Sequence, residues 1–228
     1  MRGTFAAALQ WRATAYRTRL TNDILFTAVG AGRGYFANFP STRRQGLELE
    51  LRGGSPRLSW HASWSLVDAT YRSDLALFNP VANAADPSQP AAIDVRRGDR
   101  LPATPRQLAK LGVELRPLPA LELGAALRHA SSQFLRGDDA NAAEPLAGYA
   151  VVDLRFRYEL TRRFAVRGGV DNALDARYAS IGAFNRVAFD DGGEPLEGVG
   201  PGPVQRFVSP GAPRSWWLAV EYRTGRVD

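Results

Sequence analysis

The stretch that decides the fold covers residues 148–178 and reads GYAVVDLRFRYELTRRFAVRGGVDNALDARY. Every even position in 152–160 is apolar, and every odd position in 153–159 is charged. Such alternation places apolar side chains on one face of a β-strand and charged side chains on the other. Residues 161–163 form a polar turn, and a second alternating strand begins at Phe164. The sequence therefore predicts a hairpin of two long strands.

The predicted length of these strands indicates their surroundings. Strands of soluble domains usually run about 5 or 6 residues, whereas a membrane-spanning strand needs roughly 9–11 tilted residues. Both arms of the predicted hairpin reach that length, with one face apolar and the other fully charged. A transmembrane barrel needs an apolar face toward lipid and a polar face toward its lumen. We therefore predict an all-β fold, an antiparallel transmembrane β-barrel.

The remainder of the chain repeats this pattern in about eight strands. They are predicted near 4–29, 35–52, 58–66, 101–116, 121–128, 152–160, 164–175 and 215–223. Short turns near 53–56, 117–119 and 161–163 alternate with the tip at 30–34 and long loops near 73–100, 136–147 and 181–213. This alternation is typical of outer-membrane barrels, whose short turns are periplasmic. The predicted interfacial aromatics are Trp60, Trp64, Tyr158, Phe164 and Trp216.

The charges on the inward face bear on the size of the barrel. The predicted inward residues are Arg12, Glu48, Glu50, Lys110, Glu114, Glu122, Arg128, Asp153, Arg155, Arg157, Glu159, Arg167, Asp171 and Asp175. Eight strands enclose a space that side chains just fill, and charges in a dry core need near-complete pairing. We favour part of a larger barrel, and keep a closed eight-stranded barrel as the alternative if these charges pair in a ladder.

Composition excludes several function classes. The chain has 228 residues, a net charge of +6 and no cysteine, so disulfide scaffolds, zinc fingers and thiol catalysis are excluded. The arginines are spread through alternating strands and form no basic tract, which argues against a nucleic-acid partner. No apolar run approaches the ~18 residues of a membrane helix. Residues 1–20 show no signal peptide, so we expect either that it has been removed or that the chain is the tail of a longer protein.

Four motifs, in order along the chain, resemble segments of TonB-dependent outer-membrane receptors. The first is Asn38-x-x-x-Thr42-Arg43-Arg44-Gln45-Gly46-Leu47-Glu48-Leu49-Glu50, and the second is Asp99-Arg100-Leu101-Pro102-x-x-Pro105-Arg106-Gln107. The third is Val170-Asp171-Asn172-Ala173-Leu174-Asp175-x-x-Tyr178, and the fourth is Pro210-Gly211-x-Pro213-Arg214-Ser215-Trp216-Trp217. Each motif is weak alone, and together they make the resemblance specific.

The resemblance implies an architecture and a role. Such receptors have a barrel of roughly 22 strands filled by an N-terminal plug, and they import ferric siderophores, haem, cobalamin and similar scarce ligands across the Gram-negative outer membrane. A TonB-type energy-coupling complex pulls on a short N-terminal box. We expect residues 1–228 to be the C-terminal segment of the barrel, with the plug, the coupling box and the signal outside it. We expect outer-membrane lipid around it and no cofactor.

Ligand contacts are expected on the extracellular loops, because binding residues concentrate on loops held by a rigid scaffold. Arginines would attract an anionic ferric chelate, and aromatic rings could stack on it. The candidates are Arg33, Tyr35, Phe36, Arg96, Arg97, Arg136, Phe184, Asn185 and Arg186.

The sequence offers no catalytic constellation, so we do not predict an enzyme. A barrel-borne hydrolase would need converging Ser, His and Asp residues, and His61 and His129 each stand alone. Asp171 and Asp175 near Asn172 are better explained by hydrogen bonds inside the lumen than by a metal site. The other class left open is a structural or adhesion protein, the stand-alone eight-stranded barrel.

Overall fold

The fold is built from antiparallel strands. The computed structural model describes residues 2–5, 9–30, 33–78, 92–187, 192, 194 and 204–224. The strands are β1 (Arg2–Phe5), β2 (Leu9–Gly30), β3 (Arg33–Ser55), β4 (Leu58–Tyr71), β5 (Leu75–Phe78), β6 (Ala92–Val95), β7 (Gln107–Leu118), β8 (Leu121–Ala130), β9 (Tyr149–Glu159), β10 (Phe164–Asp171), β11 (Ala179–Arg186), β12 (Val204–Pro210) and β13 (Ser215–Tyr222). These described residues include no helix that could cross a membrane.

Nine of the strands form one sheet in the order β1-β2-β3-β4-β7-β8-β9-β10-β13. Eight of them, β2, β3, β4, β7, β8, β9, β10 and β13, are the strands that the sequence predicts, so the all-β prediction is confirmed. Among the described residues β1 and β13 are the two edges of the sheet and do not pair with each other. This open sheet does not support the closed eight-stranded alternative.

The two faces of the sheet differ as the alternation predicts, and we call them the apolar face and the charged face. In β9, Leu154 and Phe156 on the apolar face are 44% and 37% exposed, whereas Val151 and Asp153 on the charged face are only 1% and 8% exposed. Register extends this order across the sheet, because Phe156 pairs with Leu123 in β8. A water-soluble domain would bury its apolar face. An apolar outside and a charged inside are the arrangement of a membrane barrel.

Ion pairs join neighbouring strands on the charged face, but Glu48, Lys110 and Glu114 form none with the residues that the structure describes, so the predicted inward charges do not pair in a complete ladder. Asp153 pairs with Arg128 at 3.1 Å, Asp171 with Arg155 at 2.9 Å, and Glu221 of β13 with Arg167 at 3.2 Å. The further pairs on this face are Arg12–Glu50, Arg116–Glu122, Arg157–Glu159, Arg157–Glu221 and Arg223–Glu159. Each partner limits the desolvation cost of the other. The predicted inward placement of these charges therefore holds.

Two ends of the sheet can be distinguished by their connections. At the short-turn end, β3 joins β4 through Pro56 and Arg57, and β7 joins β8 through Pro119 and Ala120. The ring centroids of Phe164 and Tyr222 lie 4.8 Å apart there. We call the opposite end, where β4 is followed by the β5–β6 hairpin and β8 by residues 131–148, the long-loop end.

The hydrophobic core sits at the long-loop end. Phe39 and Tyr71 are each 1% exposed and stack with centroids 5.4 Å apart. The rest of this buried cluster is Ala69, Leu77, Ile93, Val95 and Leu101. Asn22 in β2 has a positive φ of 54°, and beyond it Asp23 reaches Thr42 and Arg44 of the charged face. This left-handed residue reverses the alternation, which explains why Phe39 is buried.

Several predicted boundaries were wrong. The strand predicted from Leu101 begins at Gln107, since Pro102 and Pro105 cannot donate to a ladder. The second arm of the hairpin ends at Asp171 after 8 residues, because Asn172 turns the chain with φ 50°. Thr4 and Phe5, predicted as the start of the first strand, belong instead to β1, which folds back on β2 as a separate strand.

The long loops contain strands that the sequence did not predict. β5 pairs with β6, and β11 pairs with β12, each as a two-stranded sheet apart from the main one. Both hairpins lie at the long-loop end, where they cover the ends of the long strands. The predicted loops at 73–100 and 181–213 therefore contain strands where the structure describes them.

Candidate functional site

A cavity of about 310 Å³ opens on the charged face at the long-loop end. Its walls come from β2, β3, β4 and the two segments at 101–104 and 136–139. The lining residues are Leu25, Phe26, Arg44, Tyr71, Leu101, Pro102, Ala103, Thr104, Arg136, Gly137 and Asp139. The cavity thus combines apolar and aromatic groups with two arginines and the carboxylate of Asp139, a mixture suited to holding a small ligand.

Hydrogen bonds hold Arg44, Tyr71 and Asp139 of this cavity in place. Asp23 accepts from Arg44 Nη1 at 2.9 Å and from the Thr42 hydroxyl. The Tyr71 hydroxyl donates to Asp139 Oδ1 at 2.7 Å. Tyr71 and Asp139 are both buried, so their bond joins the wall of the sheet to the 136–139 segment and sets the distance between them.

The segment above the cavity is held by its own turn. Ala142 and Ala143 donate their backbone N–H groups to the Asp138 carboxylate at 2.8 and 3.2 Å. Burial raises the pKa of Asp138 above its ordinary value, although these two donors act in the opposite direction. Asn141 accepts from the Arg100 N–H at 2.6 Å and donates to the Arg100 carbonyl at 3.0 Å. The turn is therefore tied to the start of the 101–104 segment.

Arg136 lies just before this turn, and its side chain is exposed. Its backbone N–H donates to the Gly182 carbonyl at 3.0 Å, and its carbonyl accepts from the Phe184 N–H at 2.9 Å. Arg136 forms no ion pair within the part of the chain that the structure describes. The two backbone hydrogen bonds therefore fix the position of the Arg136 backbone beside the cavity that this residue lines.

The structure brings some of the predicted ligand residues together. Arg136 lines the cavity, and Phe184 is its backbone neighbour. Phe36 is 72% exposed and contacts Phe26 edge-on at 5.6 Å, and Phe26 lines the same cavity. Tyr35, 40% exposed, is adjacent to Phe36 on the opposite side of β3.

Other predicted ligand residues lie elsewhere. Arg96 and Arg97 are exposed on a separate turn, where their N–H groups donate to Asp99 and Asp74 at 2.7 Å each. Neither lines the cavity. The side chains of Arg33, Asn185 and Arg186 lie outside the part of the chain that the structure describes.

Comparison with known families decides which class of protein this is. Residues 3–173 match the family described as TonB dependent receptor-like, beta-barrel. The chain belongs to the TonB-dependent receptor family, in its β-barrel part. The resemblance seen in the four motifs is therefore confirmed. Members of this family are outer-membrane transport receptors, which agrees with the apolar outer wall of the sheet.

Solved receptor structures share the fold of this barrel. The siderophore receptor PiuA from Acinetobacter baumannii has a TM-score of 0.67 at 18% identity, over 96% of this chain and 26% of that one. The ferric yersiniabactin uptake receptor FyuA from Yersinia pestis has a TM-score of 0.65 at 19% identity, over 97% and 28%. The copper transporter OprC has a TM-score of 0.63 at 18% identity, over 96% and 29%. The chain thus spans about a quarter of the length of these receptors.

Of the residues that line this cavity, only Arg136 was predicted as a ligand residue, and three of the others illustrate why sequence reasoning missed them. Phe26, Arg44 and Tyr71 lie within long strands, where alternation predicts a wall position and nothing more. The Arg43-Arg44 pair was a usable signal, because consecutive arginines on a strand must face opposite sides. One of them therefore had to point into the barrel.

The charged face of the receptor barrel holds a second groove of about 260 Å³, far from the long loops. His61 lies over Gly112 there, with Glu114 and Glu122 nearby. Asp171 and Asp175 are held by Arg155 and Arg214. In the described ranges no three His, Cys, Asp or Glu residues are grouped so that they could hold a metal ion.

Proposed function

We propose that this chain is the C-terminal segment of an outer-membrane receptor that takes up a ferric siderophore or a similar anionic chelate. The observation that carries the proposal is the cavity at the long-loop end, which exposed Arg136 lines together with the aromatic residues Phe26 and Tyr71. A free guanidinium attracts and hydrogen-bonds anionic oxygens, and aromatic rings provide flat apolar contact. Membership of a family of transport receptors makes import, without covalent chemistry, the expected use of such a site.

The proposed path begins at the long-loop end, which we take as extracellular because the short turns of such barrels are periplasmic. The ligand would enter between the 136–139 segment and the tip of β2 and β3. Phe36 is placed to meet it first, and Phe184 lies beside Arg136. We infer that a plug and a TonB-type coupling complex, supplied by other parts of the receptor, open the path afterwards.

Replacing Arg136 tests the ligand site. Arg136→Gln should weaken binding of an anionic ferric chelate about tenfold, because a hydrogen bond to a charged group contributes about 1.5 kcal/mol or more. Binding would be measured by tryptophan fluorescence on the receptor purified from outer membranes, with a panel of catecholate, hydroxamate and carboxylate ferric chelates. Arg162→Gln, which removes an exposed arginine at the short-turn end, is the matched control.

Two results would count against the proposal. One is that no chelate in the panel binds. The other is that Arg136→Gln and Arg162→Gln bind the chelate equally well.

An immunoblot tests whether the chain is a receptor segment. An antibody raised to the 181–213 loop should detect an outer-membrane band roughly three times heavier than this chain, scaling from eight strands to about 22 plus a plug. A band near 24.9 kDa would contradict that part of the proposal and favour a small independent barrel.

A further inference from the structure

A group of arginines lies on the outside of the sheet, beyond the apolar face. In β2 and β3, Ala15 pairs with Leu47, and two residues further along Arg17 pairs with Gln45. Another two residues along, Arg19 pairs with Arg43. In β2, Arg17 and Arg19 precede Asn22, the residue at which the alternation reverses. They and their partners in β3 therefore stay on the same face as Leu47. We call Arg17, Arg19, Arg43, Arg72 and Arg97 the arginine cluster.

The turn after β4 completes the cluster. The Arg72 N–H donates to the Ser41 carbonyl at 2.9 Å, which fixes Arg72 against β3. Desolvation and then repulsion by neighbouring guanidinium groups lower the pKa of Arg72 below its ordinary value. The repelling arginines, largest effect first, are Arg43, Arg97, Arg19 and Arg17. Arg97, predicted from the sequence as a ligand residue, is thus a charged neighbour of Arg72.

Three carboxylates lie beside the five arginines of the cluster: Asp68, and Asp74 and Asp99, which accept from the Arg97 and Arg96 N–H groups at 2.7 Å each. Asp68 Oδ2 accepts from Arg43 Nη2 at 2.7 Å and from Gln45 Nε2 at 3.0 Å. Arg43 Nε is buried without a hydrogen-bond partner within the described residues. Arg17, Arg72 and Arg97 make no ion pair with any residue that the structure describes. Arginines held this close repel one another, so an anion that bridges them would be bound favourably.

The height of the cluster above the apolar band indicates which anion. The last apolar rung includes Leu47 and Leu66, and Leu66 pairs with Gln107 of β7. The Trp64 indole N–H donates to Gln107 Oε1 at 3.3 Å, a position typical of tryptophan at a membrane interface. Arg17 lies one rung higher, about 7 Å along the strand. That step leads from the hydrocarbon into the headgroup layer, which adds about 5–7 Å on each side of the core.

We propose that the arginine cluster is a binding site for the phosphorylated headgroup of an outer-leaflet lipid of the lipid A class. Strand register places Arg17, Arg19 and Arg43 on the outward face at headgroup depth, and arginine binds phosphate oxygens in bidentate fashion. This inference rests on the proposed outer-membrane location and orientation. It is separate from chelate uptake, because the ligand cavity lies on the opposite face of β3 and β4.

The test compares two charge-matched double variants of the receptor purified in mild detergent. Arg17→Gln with Arg72→Gln removes two cluster arginines that make no described ion pair. Arg162→Gln with Arg163→Gln removes two exposed arginines at the short-turn end. The probe is purified diphosphorylated lipid A, with dephosphorylated lipid A and inorganic phosphate as comparisons, and native mass spectrometry and thermal shift are the readouts.

We expect the cluster variant to bind lipid A about 30-fold more weakly than wild type. That factor corresponds to the binding free energy that two arginines together contribute near an anionic lipid surface. The control should stay within twofold of wild type, and wild-type binding should weaken as salt rises. Arg17→Lys with Arg72→Lys should recover part of the loss. If the glutamine variant fails to fold, the lysine variant and the salt titration of wild type still decide.

Three results would overturn the inference: equal lipid A binding by the cluster and control variants, equal binding of dephosphorylated lipid A, or full competition by millimolar inorganic phosphate. Failure of the proposed function has a different signature. It would appear as a receptor absent from the outer membrane or indifferent to ferric chelates, while lipid A binding in detergent would still report on the cluster.

Discussion

Replacing Leu154 by arginine asks directly whether the apolar face meets lipid. Leu154 is the central residue of β9, which runs from Tyr149 to Glu159 with 11 residues. At about 3.3 Å per residue and a tilt of about 40°, such a strand rises roughly 28 Å, close to the ~25 Å apolar band of an outer-membrane barrel. Leu154 therefore lies near the bilayer midplane. Within the sheet its side chain is 44% exposed, on the face that we assign to lipid.

The expected cost follows from that depth. Arginine on the lipid face costs about 2–4 kcal/mol at the midplane and about 0–1 kcal/mol near the interface. In a water-soluble protein, a substitution at an exposed position changes stability by only about ±0.5 kcal/mol. The control is Leu174→Arg, since Leu174 is 72% exposed in the turn beyond β10. We expect Leu154→Arg to be the more destabilising of the two by about 2 kcal/mol or more.

The assay is denaturant unfolding of the protein folded in phospholipid vesicles, followed by tryptophan fluorescence. The two variants and wild type are compared by their midpoints at equal slope. If Leu154→Arg costs no more than Leu174→Arg, the apolar face does not meet lipid and the assignment of the faces is refuted.

Two further predictions concern a glycine of the wall and an acid of the loop. Gly46→Ala should lower the free energy of unfolding by about 1–3 kcal/mol through overpacking, because the new Cβ would clash with the Leu66 carbonyl. The control is Gly124→Ala, whose Cβ would have its nearest neighbour 3.7 Å away and should have a mild effect in the same unfolding assay. Equal losses of stability in the two variants would refute the close approach at Gly46. Burial raises the pKa of Asp138, so the folded loop binds more protons than the unfolded one just above the ordinary pKa of 3.8. The stability of the loop should therefore rise as pH falls through that window, and amide exchange in residues 135–143 should become slower after correction for intrinsic rates. Asp138→Asn should abolish this pH dependence. An unchanged pH dependence in that variant would exclude Asp138 as its source.

The hairpin at residues 148–178 shows what alternation can predict. Arg155, Arg157 and Glu159 fall on the charged face and Leu154 and Phe156 on the apolar face, because a strand has a period of two wherever its backbone is regular. The direction in which each face points also followed, since full charges on one side exclude a lipid environment there. The same logic recovered eight strands and their order.

Irregular backbone explains the failures in the strands. A single residue with a left-handed backbone, Asn22, exchanges the two faces of β2. The amino-acid composition does not predict this positive φ. Asn172 ends β10 early because its side-chain amide donates to the carbonyls of Ala176 and Ala212. The bond from Asn172 to Ala212 joins residues distant in sequence, and a periodicity argument includes neither such a contact nor a positive φ.

The candidate site was predicted only in part for a related reason. Arg136 and Phe36 were found because they are charged or aromatic residues on predicted loops. Arg44 and Tyr71 were missed because the strands continue beyond the apolar band, so that wall residues become cavity residues at that height. Arg97 does not line this cavity, and its role as a ligand residue stays a prediction.

Site-directed spin labelling along β9 tests the central claim most directly, namely that this sheet is a membrane wall with its charged face inward. The chain has no cysteine, so single cysteines at positions 153–158 can be labelled cleanly in outer membranes. The account predicts that labels at 154, 156 and 158 collide with oxygen dissolved in lipid, and that labels at 153, 155 and 157 collide with a water-soluble nickel chelate. Loss of this alternation, or its reversal, would contradict the account.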